Sequence, residues 1–162
     1  MRHLKLVSNQ TPLSQQPVLR IAFASSDRQT INQHFGAAEA FVIFELRQNS
    51  FQLAEVAEFH GRDTARDGHE GKLEAKVALL QGCAAVYCNA VGASAIRQLL
   101  AANIQPLKVD EGLSIESQLR LLTEEWQQEP PVWMQRSLRQ QQRSGHNNRF
   151  ADMAAESWSE EG

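Results

Sequence analysis

The side chains best suited to chemistry gather in a few short stretches. Gln33-His34-Phe35-Gly36 sets one imidazole before an aromatic ring and a glycine, Cys83 and Cys88 lie five apart, and His60 and His69 bracket a polar run. Imidazole and thiolate are the usual protein donors to iron in metal–sulfur centres. Ser25-Ser26-Asp27 and Asn89 add hydroxyl, carboxylate and amide groups at the ends of apolar runs. Each has a plainer reading. A histidine before Phe-Gly is, on spacing alone, more often a turn residue than a ligand, and loop histidines such as His60 and His69 are common. Positions 83 and 88 differ by an odd number, so an extended strand points them to opposite faces. Cys83, at the strand start, therefore reads as a small buried hydrophobe, while Cys88 suits a ligand and a structural thiol equally. No GxSxG, P-loop, HExxH or CxxC marks an enzyme class.

The elements that must position these residues follow from hydrophobic period. VLRIAFA (18–24) is a short β-rich run, and FVIFEL (41–46) and FQLAEVAEF (51–59) are two more, with Arg47 to Ser50 as a hairpin link. The period then changes. Leu73, Val77 and Leu80 share a helix face that Gly82 ends. CAAVYC (83–88) is a strand. GASAIRQLLAAN is a helix with Ser94 as its expected N-cap and Ile96, Leu99 and Leu100 toward the core. QPLKV (105–109) is the fifth strand, and SIESQLRLLTEEW is a helix facing inward through Ile115, Leu119, Leu122 and Trp126. Right-handed crossovers restrict how this βββαβαβα order closes. The expected fold class is α/β, ribonuclease-H-like, a five-stranded mixed sheet of order 3-2-1-4-5 with strand 2 antiparallel, covered by helices. Residues 1–17 read as a flexible lead-in, 18–129 as the α/β domain, and 130–162 as a polar C-terminal tail, partly helical or disordered. In that tail RFADMAAESW spaces Phe150, Met153, Ala154 and Trp158 as an apolar stripe.

Tracing strand directions puts His34, His60, His69 and Cys88 along one sheet edge. Open α/β sheets bind ligands beyond the carboxyl ends of their parallel strands, where strand order reverses. That point falls between strands one and four, flanked by Ser25-Ser26-Asp27 and Cys88-Asn89. The helix beginning after Gly92 offers unpaired N–H groups and a positive dipole end, and Arg97 either adds a charge or points into solvent. Asp63, Asp67 and Glu70 temper that positive character. A two-metal nuclease needs carboxylates on the central strands, and RIAFA and CAAVYC have none. The 162 residues, 42% hydrophobic, build one ordinary core, and a formal charge of −3 opposes general nucleic-acid binding. No apolar run reaches the roughly 18 residues of a membrane span, and no signal peptide is evident, so a cytoplasmic protein with reduced cysteines is expected.

The stretches RIAFASSDRQTINQHFGAAEAFVIFEL and GHEGKLEAKVALLQGCAAVYCNAVGASAIRQLLAANIQPLKV resemble the nitrogenase cofactor-biosynthesis carriers of the NifX and NafY type. The likeness covers about residues 18–126, and RFADMAAESW looks like the C-terminal end of the short members. The resemblance implies a ribonuclease-H-like fold and a non-catalytic carrier. Its cargo would be the iron–molybdenum cofactor or its iron–sulfur precursor, passed between nitrogenase cofactor-assembly proteins (precursor synthase and scaffold). It also implies cofactor binding by His34 of the QHFG motif. The cofactor-binding set is then His34, Ser25, Ser26, Asp27, Cys88, Asn89, His69 and Arg97, with His34 and Cys88 as the metal donors. No nucleic acid or membrane is expected as partner, and the protein is expected to be a monomer or weak dimer. The alternative is a regulatory or docking protein of the nitrogen-fixation system acting through contacts of the tail.

Overall fold

The computed structural model describes residues 16–59 and 68–144. Five strands, β1 (Leu19–Ala24), β3 (Ala40–Leu46), β4 (Phe51–Glu58), β5 (Cys83–Cys88) and β6 (Gln105–Lys108), form one sheet in the order β4-β3-β1-β5-β6. β3 runs antiparallel to β1 and β4, while β1, β5 and β6 are parallel. The expected strand order and the antiparallel second strand are both observed. β1 and β5 are central and almost wholly buried, as near-continuous apolar runs must be. β4 is an edge strand and largely exposed, and its Glu55 and Glu58 discourage further pairing.

Helices cover both faces. α1 (Gly68–Leu79), the turn after it and α2 (Ala93–Ala101) pack Leu73, Leu80, Ala95 and Leu99 against Ala22, Ile43 and Val86. α3 (Ile115–Gln128) covers the other face, burying Ile115, Leu119, Leu122 and Trp126 beside Ile21, Phe23 and Tyr87. A further helix, α4 (132–144), carries Met134 into that same cluster, with Trp133 and Leu138 packed against it. The core therefore runs past residue 129. The stripe from Phe150 to Trp158 lies outside the described residues.

Three local expectations need correction. Ser94 is inside α2; the N-cap is Gly92, without a side-chain bond. Leu100 is 47% exposed, and Ala95 takes the inward place. Finally, strict alternation fails in β5: Arg20 pairs with Cys83 but Ile21 pairs with Ala85, so Ala84 is an extra residue. This bulge resets the parity and puts Cys83 and Cys88 in one cluster on the same face. They still sit at opposite ends of the strand, about 16 Å apart along an extended chain, and share no site.

A two-stranded sheet that sequence reading did not find joins β2 (Thr30–Ile31) to β7 (Leu113–Ser114). It ties the loop after β1 to the start of α3, helped by Ile115 N–H donating to the Gln29 carbonyl at 2.9 Å. No helix among the described residues is long and apolar enough to cross a membrane.

Candidate functional site

The loop after β1 turns at Ser25-Ser26-Asp27 and satisfies itself there. Asp27 accepts from the Gln29 and Thr30 N–H groups at 2.9 and 2.8 Å and from the Thr30 hydroxyl at 2.7 Å. These bonds, the Thr30 amide first, hold its carboxyl well below the usual carboxylate range. Ser25 is fully buried; its hydroxyl donates to Asp27 and accepts from the Arg28 N–H. Ser26 Oγ accepts from the Asn32 amide, whose Oδ1 takes the Ser26 N–H. The polar groups expected to meet a ligand here are engaged in shaping the loop.

Beyond it the chain crosses the carboxyl end of β5 and is stitched down on both sides of His34. The Asn89 N–H donates to the Gln33 carbonyl at 3.0 Å, and the Phe35 N–H donates to the Ala90 carbonyl at 2.8 Å. Phe35 is fully buried and packs on Phe41 with ring centres 5.5 Å apart. With both neighbours held, the exposed His34 side chain stands on a fixed base. Asn89 adds a clamp, its Nδ2 donating to the carbonyls of Ile31 at 2.9 Å and Val109 at 3.3 Å. Asn89 Oδ1 is buried without a partner among the described residues.

His34 opens onto a groove of about 530 Å³, bounded by Gly36 and Ala37, by Leu73 of α1, and by residues 90–95. The last of these form the β5–α2 turn and the first turn of α2. The first bond of that helix runs from Ile96 N–H to the Gly92 carbonyl, so the N–H groups of Ala93, Ser94 and Ala95 have no helical acceptor. No acidic residue lies in this turn, so α2 itself supplies no carboxylate to offset its partial positive charge. A Cβ built on Gly36 or Gly92 would meet nothing within 4 Å. Neither glycine has a positive φ, so both leave open room that backbone geometry does not demand.

None of the other expected residues lines this groove among the described residues. Cys88 is fully buried, and burial pushes its thiol up to about 11. Its Sγ lies 4.0 Å from the Leu107 carbonyl oxygen. In this state Cys88 is a covered, protonated thiol packed close to the Ala90 and Phe35 backbone. Cys83 is likewise pushed up to about 11 by burial. Arg97 is exposed on α2. Residue 69 is in the first turn of α1, its side chain outside the described residues, and His60 is also outside them. Among the described residues no group of three or more His, Cys, Asp or Glu could hold a metal. The geometry provides one imidazole beside a patch of backbone donors.

Sequence reading passed over Lys76, which is buried and donates to the carbonyls of Phe35 and Gly36 beneath the groove. A signal existed. Position 76 follows Leu73 by three and precedes Leu80 by four, which places a lysine on an apolar stripe.

The fold is an α/β domain of a type seen in solved structures. The apo form of the orange protein from Desulfovibrio gigas superposes with a TM-score of 0.52 at 19% identity, covering 68% of this chain and 92% of that one. The chain belongs to the dinitrogenase iron-molybdenum cofactor family, whose model matches residues 17–125. It is 44% identical to protein NifX of Azotobacter vinelandii, over 88% of this chain and 89% of that protein. It is 35% identical to the FeMo cofactor biosynthesis protein NifB of the same organism, over 62% of this chain but only 20% of that protein. The domain thus has a counterpart inside a much longer chain.

Proposed function

We propose that this protein acts in iron–molybdenum cofactor biosynthesis as a non-catalytic carrier. It binds the cofactor or its iron–sulfur precursor and passes it between assembly proteins during nitrogenase maturation. The observation that carries this reading is the exposed His34 imidazole, held on both sides by backbone bonds and facing a groove lined by a helix N-terminus. Membership of the cofactor family and the likeness to NifX and NifB support the identity of the cargo. An anionic metal–sulfur cluster suits such a place. The imidazole donates a lone pair to one metal, and backbone N–H groups with a positive dipole favour the negative sulfur shell. A carrier must also let go. One protein ligand permits release where a cage of thiolates would retain the cluster. Ser25, Ser26, Asp27 and Asn89 act here by shaping the loop, and Arg97 is an exposed charge on α2.

The test is anaerobic titration with isolated iron–molybdenum cofactor, followed by absorbance and electron paramagnetic resonance. His34→Ala should weaken uptake at least about tenfold, the equivalent of roughly 1.4 kcal/mol, with an unchanged thermal midpoint because the side chain is exposed. Unchanged affinity in the variant removes His34 from the site. A wild-type protein that takes up no cofactor and no iron–sulfur precursor defeats the carrier reading.

A further inference from the structure

Lys76 is 3% exposed, and its Nζ donates to the Phe35 carbonyl at 3.4 Å and to the Gly36 carbonyl. It also lies 4.9 Å from the centre of the Phe59 ring. Among the described residues no carboxylate pairs with it. Burying an ammonium without a counter-ion costs several kcal/mol as an order of magnitude. Carbonyl dipoles and the aromatic face offset part of that cost. A methionine would fill the same space with no charge to desolvate. Burial and the neighbouring Lys72 both push its pKa down, which expresses the same penalty. Core packing alone does not account for a lysine at this position.

Its two acceptors do. In a trans peptide the C=O and N–H of one plane point in opposite directions. Drawing the Phe35 carbonyl inward turns the Gly36 N–H away from Lys76, to the side on which Gly36 is exposed and lines the groove. Drawing the Gly36 carbonyl inward orients the next plane, whose Ala37 N–H donates to the His34 carbonyl at 3.2 Å. The buried ammonium, together with the Ala38 N–H that donates to the Phe35 carbonyl at 3.3 Å, thereby holds the peptides that follow the imidazole. We infer that Lys76 is a positioning residue for the cargo site, presenting the Gly36 N–H and the His34 side chain together to an anionic metal–sulfur ligand. This inference deepens the carrier reading and rests on it.

Two variants test it, Lys76→Met, which removes donors and charge, and Lys76→Arg, which keeps both. The first measurement needs no cargo. In the cofactor-free protein, amide resonances of residues 34–37 should shift in Lys76→Met, and the hydrogen-bonded Phe35 and Ala37 amides should exchange about tenfold faster or more. Unaltered resonances and exchange overturn the proposal whether or not cofactor binds. The second is anaerobic titration with isolated iron–molybdenum cofactor. Lys76→Met should bind at least about tenfold more weakly than wild type, and Lys76→Arg should recover to within about threefold. Equal affinity of Lys76→Met and wild type, or no recovery in Lys76→Arg, overturns the proposal. So does a Lys76→Met midpoint more than about 10 °C below wild type, which would mark a structural strut. A wild-type protein that binds no cofactor defeats the carrier reading alone, and the amide signals still decide the role of Lys76.

Discussion

Asp27 and Cys88 show how environment assigns a role to a reactive group. Asp27 is ionised by the Gln29 and Thr30 bonds it accepts. Its folded pKa lies below its unfolded value, so the stabilisation is present above the ordinary carboxylate range and is lost as pH falls through the folded pKa. Asp27→Asn should therefore melt at a lower temperature than wild type at pH 7, and the two midpoints should converge in acid; a gap that persists at all pH values would contradict this. Cys83 and Cys88 are thiols raised to about 11 by burial. A thiol reagent at neutral pH should leave both unmodified in the native protein and modify both in denaturant. Rapid native labelling of Cys88 would restore it as a metal donor. The chemical types of these residues were legible in the sequence. Whether each meets a ligand or the backbone was not, because that depends on partners such as Thr30 and Ala90 that only the folded loop brings near.

Between residue and molecule stand elements whose inward faces follow from period. Ile115, Leu119, Leu122 and Trp126 are all buried in α3 as their spacing predicts. α2 departs from its pattern, burying Ala95 and exposing Leu100. The β5 bulge defeats the parity argument for the cysteines because an inserted residue depends on the neighbouring strand's register. α4 is the larger surprise. A Gln- and Arg-rich stretch gives weak periodicity, yet its Met134 is fully buried among residues of α3 and the sheet. Met134→Ala should lower stability by about 2–4 kcal/mol in urea unfolding. A chain ending at residue 129 should lose a similar amount or more, whereas one ending at 144 should keep both stability and cofactor uptake. Loss of uptake in the chain ending at 144 would show that the core alone does not carry the site.

At the scale of the whole molecule, the formal charge of −3 gives an anionic cargo no long-range attraction. The favourable field is local, coming from the first turn of α2 and from Lys76 under the loop. Interactions so short and partly buried are weakly screened. Cofactor uptake should accordingly change by no more than about threefold between 50 and 500 mM salt, whereas a multi-contact electrostatic binder loses orders of magnitude. A steep salt dependence would point to a charged surface away from the groove. The QHFG motif, the strand order and the sheet edge on which His34 falls all follow from the sequence, because apolar period, chain direction and crossover handedness are local or topological properties. The tertiary structure alone decided that Cys88 lies beneath the groove, that Ser25, Ser26 and Asp27 face their own loop, and that Lys76 holds the base of the His34 turn. Burial and hydrogen-bond pairing across distant segments set those outcomes, and neither is encoded in the spacing of any one stretch.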